Sequence, residues 1–129
     1  MANIFAVVLA ASSSFMVGGL WYSPAMFLTP WLQAMGDRRQ AGGGHSSGTF
    51  AAAFAFSLIS ALVLSNLIGP KPTLSHALGL SLKVGLGLVA TSFGINYQFA
   101  ARPVTALLID GGYHTVQFLL FGLVLGLWH

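Results

Sequence analysis

The sequence predicts an all-α fold: a polytopic membrane four-helix bundle with a short interfacial segment after the first helix. Three observations predict it. Of 129 residues, 56% are hydrophobic and 5% are charged, against roughly 25% charged in a soluble domain. Four apolar runs approach the ~20 residues that cross a bilayer. No run alternates apolar and polar residues at the strand period. Helices remain, the spanning form that satisfies its own backbone groups in lipid.

The chain reads as one membrane domain, residues 1–129. The first span is 3–22. No Lys or Arg precedes Ile4, and the apolar stretch runs past any cleavage site, so it reads as a retained helix rather than a secretory signal. Ser23-Pro24 ends it, because proline disfavours helix at the residue before it. Residues 24–35 carry Met26, Phe27, Trp31 and Met35 around Pro30. This segment is too short to span and is rich in residues that seek the headgroup region. Residues 36–48 form the longest polar stretch and read as a flexible loop. Its Gly42-Gly43-Gly44 run lacks the lysine and hydroxyl of a phosphate loop. The second span is 49–68, and Gly69-Pro70-Lys71-Pro72 turns into the third, 74–95. Gln98 to Pro103 leads to the fourth, 104–128. His129 receives no role.

The net charge of +3 rests on Arg38, Arg39, Lys71, Lys83 and Arg102. Five scattered bases make no nucleic-acid patch and read as membrane-flanking anchors. Arg38, Arg39 and Arg102 share one side, which the positive-inside rule makes cytoplasmic, with both termini outside. The lack of cysteine excludes disulfides, thiolate metal sites and iron–sulfur clusters.

Small residues recur every fourth position. They are Ala6, Ala10, Ser14 and Gly18 in the first span, and Ala53, Ser57, Ala61 and Ser65 in the second. Ser81 with Gly85 and Gly87 with Thr91 mark the third, and Gly122 with Gly126 the fourth. Such stripes let helices approach within one bundle or between protomers. A chain this small could form its functional cavity between copies, so a homo-oligomer is expected.

Asp110 is the most informative residue. Burying an acid in a span costs about 2.5–3.5 kcal/mol on insertion scales and marks a functional site by default. His114 lies four residues on, and Gln117 continues that helix face. Tyr113 lies beside it. Because the spans alternate direction, Trp21, Tyr22, Asn96, Tyr97, Arg102, Asp110 and Tyr113 all gather at one leaflet. Asp110 could accept a proton, with His114 as relay, or pair with Arg102; satisfaction of a polar core is the plain alternative. Trp21, Tyr22 and Trp31 read as interface anchors. Lys83 sits about midway along the third span, offset from Asp110 by roughly 9 Å at 1.5 Å per residue. It suits Gln117 or snorkelling better than Asp110, and would favour anions if it lined a water path.

No cofactor is expected. Asp110 and His114 supply only two metal ligands, and His76 lies near the opposite face. Haem between His76 and His114 meets the same depth problem. No serine stands by spacing next to His114, so no catalytic residue is assigned.

Trp21-Tyr22-Ser23-Pro24 with Phe27 and Trp31, the run Asn96 to Pro103, Ile109-Asp110-Gly111-Gly112-Tyr113 and the ending Gly122 to Trp128 resemble the domain of unknown function 1761 family. The resemblance covers nearly the whole chain. It implies a small, mostly bacterial membrane protein of about four helices, placed in the inner membrane, and brings no established activity. Two departures stand out. Gly, Ser and Gln replace a charged segment after the second tryptophan. Ala100 and Ala101 stand where an acid before Arg102 is expected, which would leave Arg102 to Asp110.

Three function classes follow. The first is a homo-oligomeric small-solute or ion permeation protein with Asp110, His114, Tyr113, Asn96, Tyr97, Arg102, Gln117 and Lys83 at its polar site. The second is a structural or accessory subunit, alone or in a larger membrane complex, in which the same residues fix helix packing. The third is a lipid-headgroup or small-ligand binder. An enzyme is the least supported, since metal and nucleophile motifs are lacking.

Overall fold

Asn3 starts the first helix by capping it. Its Oδ1 accepts from the backbone N–H groups of Phe5 and Ala6 at 3.1 and 3.3 Å, two of the donors a helix start leaves unpaired. Helix α1 then runs Ile4–Trp21. The computed structural model describes residues 3–36 and 47–129. Asp37, Arg38, Arg39 and the triple-glycine run lie outside the described residues, and with them most of the expected flexible loop.

Within the expected interfacial segment after α1 the backbone is helical. It forms α2, Leu28–Met35. Pro30 falls in the first turn, where the N–H it lacks has no intrahelical partner anyway. Gly36 closes α2 with φ 69°, a left-handed end that glycine adopts without Cβ strain. Helix α3, Ser47–Ile68, starts two residues before the expected span and takes up the end of the loop. After Gly69, Thr73 caps α4, Leu74–Val84, accepting from His76 N–H at 3.2 Å.

The third span is longer than expected and not uniformly α-helical. Helix α4 passes into a π segment, Gly85–Ala90, and then into α5, Thr91–Phe99. At the junction the hydroxyls of Thr91 and Ser92 donate to the carbonyls of Gly87 and Leu88 at 2.8 and 2.6 Å. These groups take up acceptors that the widened turn leaves loosely held. Helix α6, Val104–Leu127, completes the chain. No strand occurs among the described residues.

Helix α6 is the hub. It packs on α1, on α4 and the π segment, on α2 and α5, and more lightly on α3. The core joins Ala6, Ala10, Ala61, Leu64, Ala77, Phe121 and Leu125. Small residues set the closest crossing. A side chain at Gly122 would strike Ser81 and come within 2.9 Å of the Ala77 carbonyl; one at Gly85 would lie 2.8 Å from Phe118 Cβ. Ser81 Oγ donates to the Ala77 carbonyl at 2.7 Å, so its hydroxyl is satisfied inside its own helix.

Large apolar side chains point outward all round, among them Phe5, Met16, Phe56, Ile59, Ile95 and Leu108. Four helical stretches, Ile4–Trp21, Ser47–Ile68, Leu74–Phe99 and Val104–Leu127, are long and apolar enough to cross a membrane. The protein is a membrane protein with an all-helical four-span bundle.

Candidate functional site

Asp110 lies in the second turn of α6, and its residue is 6% exposed. Its two carboxylate oxygens are held by different helices. The Tyr22 hydroxyl donates to Oδ1 at 2.5 Å. The Tyr97 hydroxyl donates to Oδ2. Tyr22 is delivered from the end of α1, where Ser23-Pro24 stops the helix. Tyr97 comes from the last turns of α5. Three chain segments thus converge on one side chain, through hydrogen bonds to a charged acceptor, the stronger kind.

Aromatic rings wall this cluster. Trp21 Nε1 donates to the Ile109 carbonyl at 3.0 Å, and its ring passes over Gly112, where a Cβ would sit 3.2 Å from it. Gly111 brings α6 against Ala90 of the π segment. Tyr22 meets Trp31 and Tyr113 edge to face, with ring centres 5.7 and 5.6 Å apart. Among the described residues the buried Trp31 indole N–H has no acceptor.

A second polar layer lies deeper. Tyr113 donates its hydroxyl to the Ser14 carbonyl at 3.0 Å, in space that Gly18 leaves open. His114 Nδ1 meets Gln117 Oε1 at 2.7 Å, Gln117 Nε2 lies 3.5 Å from Ser57 Oγ, and Ser57 Oγ lies 3.2 Å from Ser14 Oγ. Ser14 Oγ in turn donates to the Ala11 carbonyl at 3.0 Å. The donor inventory fixes one direction for the whole chain. Ser14 spends its proton on Ala11, so Ser57 donates to Ser14, Gln117 to Ser57, and His114 Nδ1–H to Gln117. The His114 ring is stacked on Phe93, with centres 4.9 Å apart and planes at 20°.

The residues picked from sequence divide into two sets. Asp110, Tyr113, Tyr97, His114 and Gln117 come together, and Trp21, Tyr22 and Trp31, read as interface anchors, join them. Arg102 does not pair with Asp110. It follows a helix end in which the N–H groups of Ala101 and Arg102 return to the carbonyls of Gln98 and Tyr97 at 3.3 and 3.0 Å, the Schellman arrangement. Ala101 takes the left-handed position with φ 55°. The exposed Arg102 then donates Nη1 to the Met35 carbonyl at 2.6 Å. That carbonyl belongs to the end of α2, where acceptors lack helical partners and the dipole favours a cation. Asn96 is exposed on the outer face beside Leu88, Ser92 and Phe93. Lys83 and His76 are exposed as well. Ser14 and Ser57, seen in sequence only as members of small-residue stripes, are the members missed. Their spacing signalled packing and carried no sign that their hydroxyls link two helices. Among the described residues no three His, Asp or Glu side chains gather as metal ligands.

No curated protein and no solved structure matches the chain. A family model described as "Protein of unknown function (DUF1761)" matches residues 5–126. Because that match takes in the whole bundle, from α1 to the last turn of α6, the chain belongs to the DUF1761 family.

Proposed function

We propose that this is a permeation protein for an ion or small solute, working as a homo-oligomer, with Asp110 as its charge-bearing group. One observation carries the reading: a carboxylate buried inside a membrane-length helix, with each oxygen accepting from a tyrosine of a different segment. A neutral side chain could join three helices at lower desolvation cost. An acid is worth its cost where its charge or its proton is used. A carboxylate favours a proton or small cation over an anion. The exposed apolar faces of α3 and of the third span are the surfaces through which copies would associate. The DUF1761 resemblance supports a bacterial inner membrane, and the basic residues support Arg102 on the cytoplasmic side.

The experiment is flux in proteoliposomes made from the purified protein, with a pH gradient and with alkali cations. Asp110→Asn should abolish a measured flux while the protein remains folded. An unchanged flux in that variant would remove Asp110 from the path.

A second reading has its own support. The chain His114–Gln117–Ser57–Ser14 ends on a backbone carbonyl and ties α6, α3 and α1 together. Such a closed network suits an accessory subunit whose polar core sets helix register. Under this reading Asp110→Asn changes oligomer stability, and the wild-type protein gives no flux above empty liposomes.

A further inference from the structure

At the end of the bundle remote from Asp110, a cavity of about 380 Å³ opens between the start of α1, the α3–α4 turn and the end of α6. Its volume lies within the range of small-ligand sites. The lining is rich in donors. Asn3 spends Oδ1 on the α1 cap, which leaves its amide NH₂ to face other acceptors. Ser65, Asn66, Lys71 and Trp128 also line the cavity, and their side chains make no hydrogen bond among the described residues. This sets Ser65 apart from Ser13, Ser14, Ser81, Ser92 and Thr91, whose hydroxyls all turn back onto their own helix. Lys71 holds φ 52°, a left-handed conformation that strains a non-glycine residue. Strain of this kind collects at ligand sites. Ile68 and Leu125 form an apolar, buried floor.

We infer that this cavity binds the phosphate of a phospholipid headgroup. Lys71 supplies the charge, and Asn3, Ser65, Asn66 and the Trp128 indole supply neutral donors. Phosphate, with its acceptor oxygens and negative charge, is the group that such a set fits. The position favours a lipid as its source. The cavity lies at the end of lipid-length helices, and tryptophan at that depth is typical of the headgroup level. The last carbonyls of α3 and α6 end at the same place. They suit the ammonium or hydroxyl that follows the phosphate in phosphatidylethanolamine or phosphatidylglycerol. The site is independent of the Asp110 cluster and of any permeation.

The test is native mass spectrometry of the purified protein, delipidated and then titrated with phosphatidylethanolamine and with phosphatidylglycerol in detergent micelles. Lys71→Ala with Asn66→Ala should lower the lipid-bound fraction at least ten-fold, while Lys71→Arg keeps it within about two-fold. Lys83→Ala, exposed in mid-span, should leave it unchanged. Circular dichroism melting confirms that each variant stays folded. Competition with inorganic phosphate at millimolar concentration distinguishes the sources. Without displacement the lipid is the ligand; displacement assigns the same site to soluble phosphate and overturns the lipid. Equal lipid retention by wild type and the folded double variant overturns the site.

Discussion

The hydroxyl of Tyr22 lies 2.5 Å from Oδ1 of Asp110, so the end of α1 is fastened to the second turn of α6 by a bond to a buried carboxylate. Tyr22→Phe should therefore destabilise the bundle by about 1–2 kcal/mol, between the usual worth of a charged hydrogen bond and that of an interhelical bond in lipid. Tyr97→Phe should cost a similar amount. The double variant should cost more than the sum, since it leaves the carboxylate without either donor. Unfolding by SDS in mixed micelles reads all three.

Gly122 and Gly79 are expected to respond in opposite ways. Alanine at 122 must displace Ser81 and crowd the Ala77 carbonyl, at a cost of about 1–3 kcal/mol for overpacking. Alanine at 79 meets open space and should gain up to about 1 kcal/mol from helix propensity. Parallel melting curves in one detergent make the comparison.

Ser57→Ala removes the hydroxyl that links Gln117 to Ser14. The expected loss is about 0.5–1.7 kcal/mol, the range for such bonds between membrane helices. The loss should shrink in a Gln117→Leu background, where only the bond from Ser57 to Ser14 remains to be removed. A double-mutant cycle with near-zero coupling would show that the two side chains do not interact.

The turn after α5 offers a gain. Ala101 holds φ 55° where glycine would be unstrained. Ala101→Gly should stabilise the fold by about 0.5–1 kcal/mol, the relief of left-handed strain less the added unfolded-state entropy. A lower midpoint would contradict the helix-end geometry.

Arg102→Gln should loosen α2 and leave the Asp110 cluster in place. Hydrogen exchange is the measurement. Amides of 32–36 should exchange faster, while those of 109–114 stay protected.

Composition and run length make the four spans legible, since a chain with so few charges has lipid as its only suitable solvent. Alternation of the spans also places Tyr22, Tyr97 and Asp110 at one membrane face. Their pairing is not legible, because it depends on how each helix is rotated about its axis, and sequence periodicity is weak in helices that are apolar all round. Arg102 points to Asp110 by opposite charge alone. The left-handed turn at Ala101 sends it to a helix-end carbonyl instead. Pro30 obscures α2 because a proline in a first turn and one in a helix interior look alike until the boundary is known.

The π segment sets the phase of everything that follows it. A residue accommodated there rotates the remainder of the helix by about 100° relative to an unbroken α-helix. Winding the same residues as unbroken α-helix would swing Tyr97 from the carboxylate toward the lipid, whereas deleting one residue between Gly85 and Ala90 would remove the widened turn and leave Tyr97 facing the acid. The widened turn is thus the indexing step that aims a phenol on the third span at an acid on the fourth.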